Sequence, residues 1–118
     1  MKTQLEDLSE LVENFCSLRE WDQFHNIKDL SIGLSIEASE LLQNFLWKDG
    51  EQIKEILANE DRKENIKDEM ADIFFLLLRI ANLNGVDLHD ALEKKIIKND
   101  LKYPVSKFKG SNKKYNEE

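Results

Sequence analysis

The sequence predicts an all-α protein, a helical bundle of about four to five helices. Glycine and proline are scarce, with four and one among 118 residues, so the chain has few of the residues that close tight turns. Hydrophobic residues make up 41% and charged residues 35%, a balance typical of a globular domain. Apolar residues recur three and four positions apart over most of the chain, which is the period of a helix with a buried face.

Five helices are predicted from this period and from the residues that cap helix ends. They cover about residues 4–19, 30–45, 51–57, 62–83 and 88–102. Asn26 or Asp29 is expected to cap the second helix and Asp87 the fifth, because short polar side chains accept hydrogen bonds from the first free backbone N–H groups. Asn84 and Gly85 supply a left-handed end to the fourth helix.

One domain is expected over residues 1–106, followed by a polar tail over residues 107–118. Pro104 ends the fifth helix because proline has no N–H group with which to continue it. The polar composition of the residues that follow predicts an extended or mobile segment.

The sequence predicts a cytoplasmic protein. The N-terminal stretch MKTQLEDLSELVENF is acidic and has no signal-peptide core. The longest apolar run, residues 73–78, is too short to span a bilayer. Cys16 is the only cysteine, which excludes an internal disulfide and a thiolate metal site.

The charge distribution limits the choice of partner. A net charge of −7 argues against a nucleic-acid polymer or an anionic membrane. From Lys94 onward, however, eight lysines face three acidic residues. This segment is either a solvated lysine-rich end or a surface for phosphate groups.

The second and fourth predicted helices are apolar over most of their circumference, as IGLSIEASELLQNFL and MADIFFLLLRI show. A helix that is apolar all round must be covered all round. A single chain of this length has little left to provide that cover. The sequence therefore predicts an intertwined homo-oligomer, either a dimer or a tetramer built as a dimer of dimers.

Acidic residues interrupt these two helices at helical spacing. Glu37 and Glu40 share one side of the second helix, and Glu69 and Asp72 share one side of the fourth. Burying an ionised carboxylate beside leucines is costly unless a cation or strong donors meet it. If the helices were antiparallel neighbours, their four oxygen-donor side chains would surround one site that suits Mg²⁺, with Mn²⁺ as a substitute.

Of two alternatives to a magnesium site, the sequence disfavours the first and leaves the second open. A di-iron site needs Glu-x-x-His pairs, which His25 and His89 do not supply. The other alternative is that the acids are ordinary solvated residues at helix edges, paired with Lys48, Lys67 or Arg79.

Two further groups of residues suggest a nucleotide. A stripe on the fifth helix carries Lys95, Lys98, Asn99 and Lys102, and lysine suits phosphate oxygens as a point charge. Aromatic rings near the ends of the second helix can stack on a nucleobase. These rings are Trp21, His25 and Trp47. The alternatives are a solvated basic face and tryptophans that fill the edges of the core.

The ordered series of these motifs resembles the MazG-like all-α nucleoside triphosphate pyrophosphohydrolases, and within them the dCTP pyrophosphatase branch. An E-x-x-E motif and an E-x-x-D motif are separated by 28 residues. The other matching segments are REWDQFH, LSIEASELLQNFLW, the K-x-x-x-N-x-x-K-Y-P pattern at residues 95–104, and a G-S…K-Y tail. The resemblance covers nearly the whole chain.

The resemblance implies Mg²⁺-dependent hydrolysis of a nucleoside triphosphate, dCTP-like or a modified deoxynucleotide, to the monophosphate and pyrophosphate. It implies that the four carboxylates hold Mg²⁺, with Glu37 or Glu40 as catalytic base, and that Trp21, His25 and Trp47 line the base and sugar pocket. Further substrate contacts are implied for Lys95, Asn99, Lys102 and Tyr103, with Lys114 and Tyr115 closing over the site.

One position departs from the pattern. Leu76 stands where dCTP pyrophosphatases commonly carry a tyrosine near the base, which leaves the preferred base open. A sister all-α dUTPase-type activity is therefore an alternative. The alternative from another class is a non-catalytic helical oligomer that binds a nucleotide or a partner protein.

Overall fold

The computed structural model describes residues 1–117, and its regular structure over that range is entirely helical. The helices are α1 (Gln4–Leu18), α2 (Ile27–Gln43), α3 (Gly50–Ala58), α4 (Glu60–Leu83), α5 (Leu88–Lys102) and α6 (Val105–Phe108). A short 3-10 turn, Trp21–Gln23, lies between α1 and α2. The predicted all-α class is confirmed. Within the described range no helix is both long and apolar enough to cross a membrane.

Capping side chains explain where the helices begin. Asn26, rather than Asp29, caps α2, because its side-chain oxygen accepts from the backbone N–H of Asp29 at 2.8 Å. Asn59 caps α4 in the same way, accepting from Arg62 N at 3.1 Å. Both helices therefore start two or three residues earlier than their apolar period predicts. The predicted bounds of α5 and its Asp87 cap are confirmed.

Helix α4 is the centre of the first of two compact units, which covers Met1–Gly85. It contacts α1, α2 and α3, and its pairing with α2 is the most extensive. The buried apolar side chains are Val12, Cys16, Leu30, Ile56, Ile66, Leu78 and Ala81. Each of the four helices contributes to this small core.

Two contacts show that α2 and α4 are antiparallel. Near the start of α2, a Cβ atom built on Gly33 would lie 3.5 Å from Cδ1 of Leu76. Just after α2, the side-chain amide of Asn44 donates to Oε2 of Glu69 at 2.7 Å. Because the residue number rises along α2 while it falls along α4, the chains of the two helices run in opposite directions. The antiparallel arrangement that a shared site for the four acids requires is therefore present.

The first unit leaves large apolar side chains open on its surface. Leu11 is 65% exposed, Leu42 62% and Met70 56%. Other exposed apolar side chains on α1, α2 and α4 are Leu8, Leu18, Ile32, Ile36, Phe74 and Leu77. The predicted homo-oligomer would cover such a surface and stays a prediction.

The second unit begins at Val86 and contains α5 and α6. The composition after α5 predicts an extended chain, whereas residues 105–108 form α6 with Pro104 at its N-cap. The tail beyond α6 folds back, since the ring of Tyr115 lies 6.0 Å from that of Tyr103 and 4.9 Å from the amine of Lys102. A cluster of aromatic rings thus holds part of the predicted tail.

Candidate active site

The four predicted carboxylates lie in one neighbourhood. Helix α2 carries Glu37 and Glu40, and α4 carries Glu69 and Asp72. Burial raises the pKa of Glu37, and so do the hydrogen bond to Glu40 and the negative charges of Glu40, Asp72 and Glu69. Each of the other three acids therefore lies close enough to act on Glu37.

One oxygen of this group is in an unfavourable position. Oε2 of Glu37 is buried and has no hydrogen-bond partner within residues 1–117. A buried carboxylate oxygen without a donor costs free energy, and like charges nearby add to that cost. The arrangement needs either a proton or an external cation to balance it.

Asn44 is a site residue that sequence reasoning missed. Its side-chain amide donates to Oε2 of Glu69 at 2.7 Å, which fixes the orientation of that carboxylate. The same amide group lies 3.2 Å from the backbone oxygens of Glu40 and Leu41, at the end of α2. The available signal was an amide four residues after Glu40, on the same side of the helix.

The donor chemistry and the side-chain positions give different information about a metal. The four acids offer only oxygen ligands, which fit a hard divalent cation such as Mg²⁺. In the part of the chain that the structure describes, however, no group of three or more His, Cys, Asp or Glu side chains is arranged to hold a metal ion. The carboxylates are gathered along two helices without converging on one point.

An apolar cavity of about 480 Å³ opens beside these acids. It is lined by Leu11, Val12, Phe15, Trp21, Asp72 and Phe75. The ring of Phe15 meets those of Trp21 and Phe75 edge-on, with centroids 5.6 and 5.7 Å apart. The cavity combines aromatic walls with one carboxylate, which suits a flat ring that carries a charged, metal-binding group.

His25 lies beside this cavity, next to Arg79, which the sequence instead suggests as a partner of the acids. The ring of His25 lies 6.2 Å from that of Trp21. Nδ1 of His25 accepts a hydrogen bond from Nε of Arg79 at 2.9 Å. Burial lowers the pKa of His25, the charge of Arg79 lowers it further, and the charge of Asp22 opposes both.

The sequence suggests Lys48, Lys67 or Arg79 as partners of the four acids. This suggestion is wrong for Lys67 and Arg79. Arg79 pairs with Asp22 rather than with an acid of the E-x-x-E or E-x-x-D motif. Lys67 pairs with Glu64 at 3.1 Å, within its own helix. The four acids are therefore not neutralised by either of these side chains.

Trp47 is not part of the cavity lining, and the other predicted substrate residues belong to the second unit. Trp47 is 91% exposed, on the turn after α2, where it adopts a left-handed φ of 60°. Lys95, Asn99 and Lys102 lie on α5 of the second unit, and Tyr103 caps its end. Lys102 packs over the ring of Tyr115 within that unit. The roles assigned to these residues stay predictions.

The fold and the site together define an all-helical protein with paired acids on two antiparallel helices beside an aromatic cavity. The model of the MazG-like family matches residues 32–117, which include all four acids. The chain belongs to the MazG-like family.

Two curated relatives extend the comparison. dCTP pyrophosphatase 1 of Bos taurus is 33% identical over 111 residues, covering 94% of this chain and 66% of the relative. dCTP pyrophosphatase 1 of Homo sapiens is 33% identical over 114 residues, covering 96% and 66%. The chain thus spans just under two thirds of the length of these relatives.

A solved structure shows the same fold. A pyrophosphatase from Archaeoglobus fulgidus superposes with a TM-score of 0.81 at 31% sequence identity. The match covers 88% of this chain and 95% of that one.

Proposed function

We propose that this protein hydrolyses nucleoside triphosphates, dCTP-like or modified deoxynucleotides among them, to the monophosphate and pyrophosphate. One observation carries the proposal: three acids act on the partly buried carboxylate of Glu37, and one of them, Asp72, also lines an aromatic cavity. A site with clustered anions and a flat apolar pocket fits a metal-bound triphosphate attached to a base. Membership of the MazG-like family and the names of the relatives support this class of substrate.

Glu37, Glu40, Glu69 and Asp72 would hold Mg²⁺, with Mn²⁺ as a substitute. The bound ion would supply positive charge for the triphosphate oxygens. The orphaned oxygen of Glu37 supports this assignment, because a cation would balance a charge that the chain does not. Asn44 would keep Glu69 turned towards the ion.

The chain's own acids also supply a base. A water oxygen attacks the α-phosphorus, the bond to the pyrophosphate oxygen breaks, and the water proton passes to a carboxylate. Glu37 is one candidate for that carboxylate, since it lies among the other acids of the site. Glu40 is the other candidate. Trp21 and Phe75 would hold the base in the cavity.

The remaining features of the proposal concern the second unit and the assembly. Lys95, Asn99, Lys102 and Tyr103 would contact the substrate, and a cytoplasmic location is expected. The open apolar surface of α1, α2 and α4 supports a homo-oligomer, a dimer or a tetramer. Light scattering after gel filtration measures that state, and a monomer at micromolar concentration would contradict this part of the proposal.

A panel of nucleotides tests the activity. Canonical and modified triphosphates, dUTP included, are incubated with Mg²⁺ or with EDTA, and the products are identified by chromatography. We expect monophosphate and pyrophosphate in the Mg²⁺ samples alone. A preference for dUTP would instead support the dUTPase-type activity. Binding without hydrolysis of any nucleotide would favour the non-catalytic oligomer and overturn the proposal.

A further inference from the structure

The most deeply buried polar side chain of the first unit lies outside the acid cluster formed by Glu37, Glu40, Glu69 and Asp72. Arg79 is 2% exposed, near the end of α4. Its guanidinium donates to Nδ1 of His25 at 2.9 Å, to Oδ1 of Asn82 at 3.2 Å, and to the carboxylate of Asp22. The planar fork of arginine can satisfy several acceptors at once, so the buried charge is fully partnered.

The contact with His25 determines where the imidazole carries its proton. A guanidinium has donors only, so Nδ1 of His25 must be the acceptor. A neutral imidazole that accepts at Nδ1 carries its proton at Nε2. The lowered pKa of His25, which burial and the charge of Arg79 produce, favours this neutral form. Any ligand that reaches His25 therefore meets an N–H donor.

Arg79 also holds the segment that brings Trp21 to the cavity. This segment leaves α1 through Glu20, which has a left-handed φ of 55° that is unfavourable for a non-glycine residue. Such a conformation persists only where its surroundings enforce it. Asp22, the residue after Trp21, is held by Arg79 and by the hydroxyl of Ser17, at 3.2 Å.

The helix spacing joins this anchor to the acids. Asp72 and Phe75 line the cavity, and Arg79 follows them by seven and four residues on the same face of α4. Trp21 also lines the cavity, and its ring lies 6.2 Å from that of His25. One face of α4 thus carries a candidate metal ligand, a residue of the cavity lining and the arginine that anchors the segment of Trp21.

We propose that Arg79 is a positioning residue that fixes His25 as the Nε2–H tautomer and holds Trp21 against the cavity, so that a nucleotide bound there finds an aromatic wall held in place with an N–H donor beside it. The effect on nucleotide binding rests on the proposed hydrolysis of nucleotides. The tautomer and the anchoring of Trp21 do not depend on it.

Nitrogen NMR of the ring nitrogens tests the tautomer without any substrate. The full-length protein is labelled with ¹⁵N-histidine, and His89→Gln identifies the signals of His25, since the chain has two histidines. We expect an unprotonated Nδ1 and a protonated Nε2 at neutral pH. In Arg79→Met, we expect averaging between the two tautomers. A protonated Nδ1 in the wild type, or an unchanged tautomer in Arg79→Met, overturns the proposal.

A second variant covers the case in which Arg79→Met does not fold. Asp22→Asn changes a side chain that is 53% exposed, so folding is expected to survive. It keeps the donor to His25 and weakens the anchor of Trp21. We expect the wild-type tautomer and a KM for nucleotide raised about tenfold with little change in kcat. An unchanged KM overturns the anchoring role, whereas absence of hydrolysis by the wild type overturns the proposed function and leaves the tautomer result standing.

Discussion

Arg79 on α4 and Glu37 on α2 differ in how the chain partners their charged groups. The guanidinium of Arg79 finds His25, Asp22 and Asn82 as partners within the chain. The carboxylate of Glu37 instead lies among other acids and keeps one oxygen without a partner. The first arrangement is complete by itself and suits a fixed wall, while the second needs something from outside. This contrast supports ligand binding at the acids and positioning at the arginine.

The largest expected effect comes from breaking the acid cluster. Glu40→Gln and Asp72→Asn should each lower kcat/KM about 10³-fold, because each removes a charge that the proposed metal and water need. Pyrophosphate release measures the rate, and circular dichroism checks that the helices persist. Glu51→Gln is the matched control, since Glu51 is exposed on α3 and pairs with Lys54 at 3.7 Å. Full activity in both acid variants would contradict their assigned roles.

Arg79, His25, Asp22 and Asn82 form an arginine cluster, and breaking it should mainly lower the stability of the protein. Arg79→Met keeps the apolar stem but removes the donors to three partners, and we expect the free energy of unfolding to fall by about 2 kcal/mol. The cost stays below that of a fully buried pair because the side chain of Asp22 is 53% exposed. Urea unfolding measures the change. A variant as stable as the wild type would show that the cluster is dispensable for the fold.

Asn44 tests whether the acids are oriented for an ion. Asn44→Ala removes the amide that holds Glu69, and we expect Mg²⁺ affinity to weaken about tenfold, as for other residues that orient metal ligands. Calorimetric titration with Mg²⁺ measures the affinity. Asn14→Ala, on the exposed surface of α1, is the control. If Asn44→Ala bound Mg²⁺ as tightly as Asn14→Ala does, the orienting role of Asn44 would be contradicted.

The smallest expected effect is a change in the pH dependence of stability. The pKa of Glu37 is raised by burial, by the hydrogen bond to Glu40 and by the neighbouring negative charges, so its protonated form favours the folded state. This contribution is complete below the ordinary value of 4.5 and is lost as the pH rises through the raised pKa. In EDTA, the stability advantage of Glu37→Gln over the wild type should therefore grow from acid to neutral pH. Thermal unfolding across that pH range measures the difference in stability between the two proteins. A difference that stays constant with pH would contradict the predicted direction.

Local signals made much of the fold predictable. Asp87, Asn84 and Gly85 are cap and stop residues whose effect depends on a few neighbours, and α5 follows its predicted bounds. The start of α2 was ambiguous because Asn26 and Asp29 are both good caps, and the structure uses the first. The helical period also placed each pair of acids on one face of its helix, whereas the antiparallel packing of the two helices entered only as a condition and their binding of a metal stays a prediction.

The arginine cluster was not predictable in the same way. Arg79 contacts His25 and Asp22, which are 54 and 57 residues away along the chain. The position of the 3-10 turn decides these contacts, and no periodic pattern encodes it. From the sequence alone, the nearest acids on α4 were equally reasonable partners for Arg79. The signal that remained was a single arginine within an otherwise apolar run.

The absence of a side chain at Gly33 has a consequence for the spacing between α2 and α4. A methyl group at this position would still fit, since its carbon would lie 3.5 Å from Leu76. A larger side chain would press against Leu76, one helical turn before Glu37 on α2. The small size of Gly33 therefore favours the close approach of α2 and α4 next to the acid pairs.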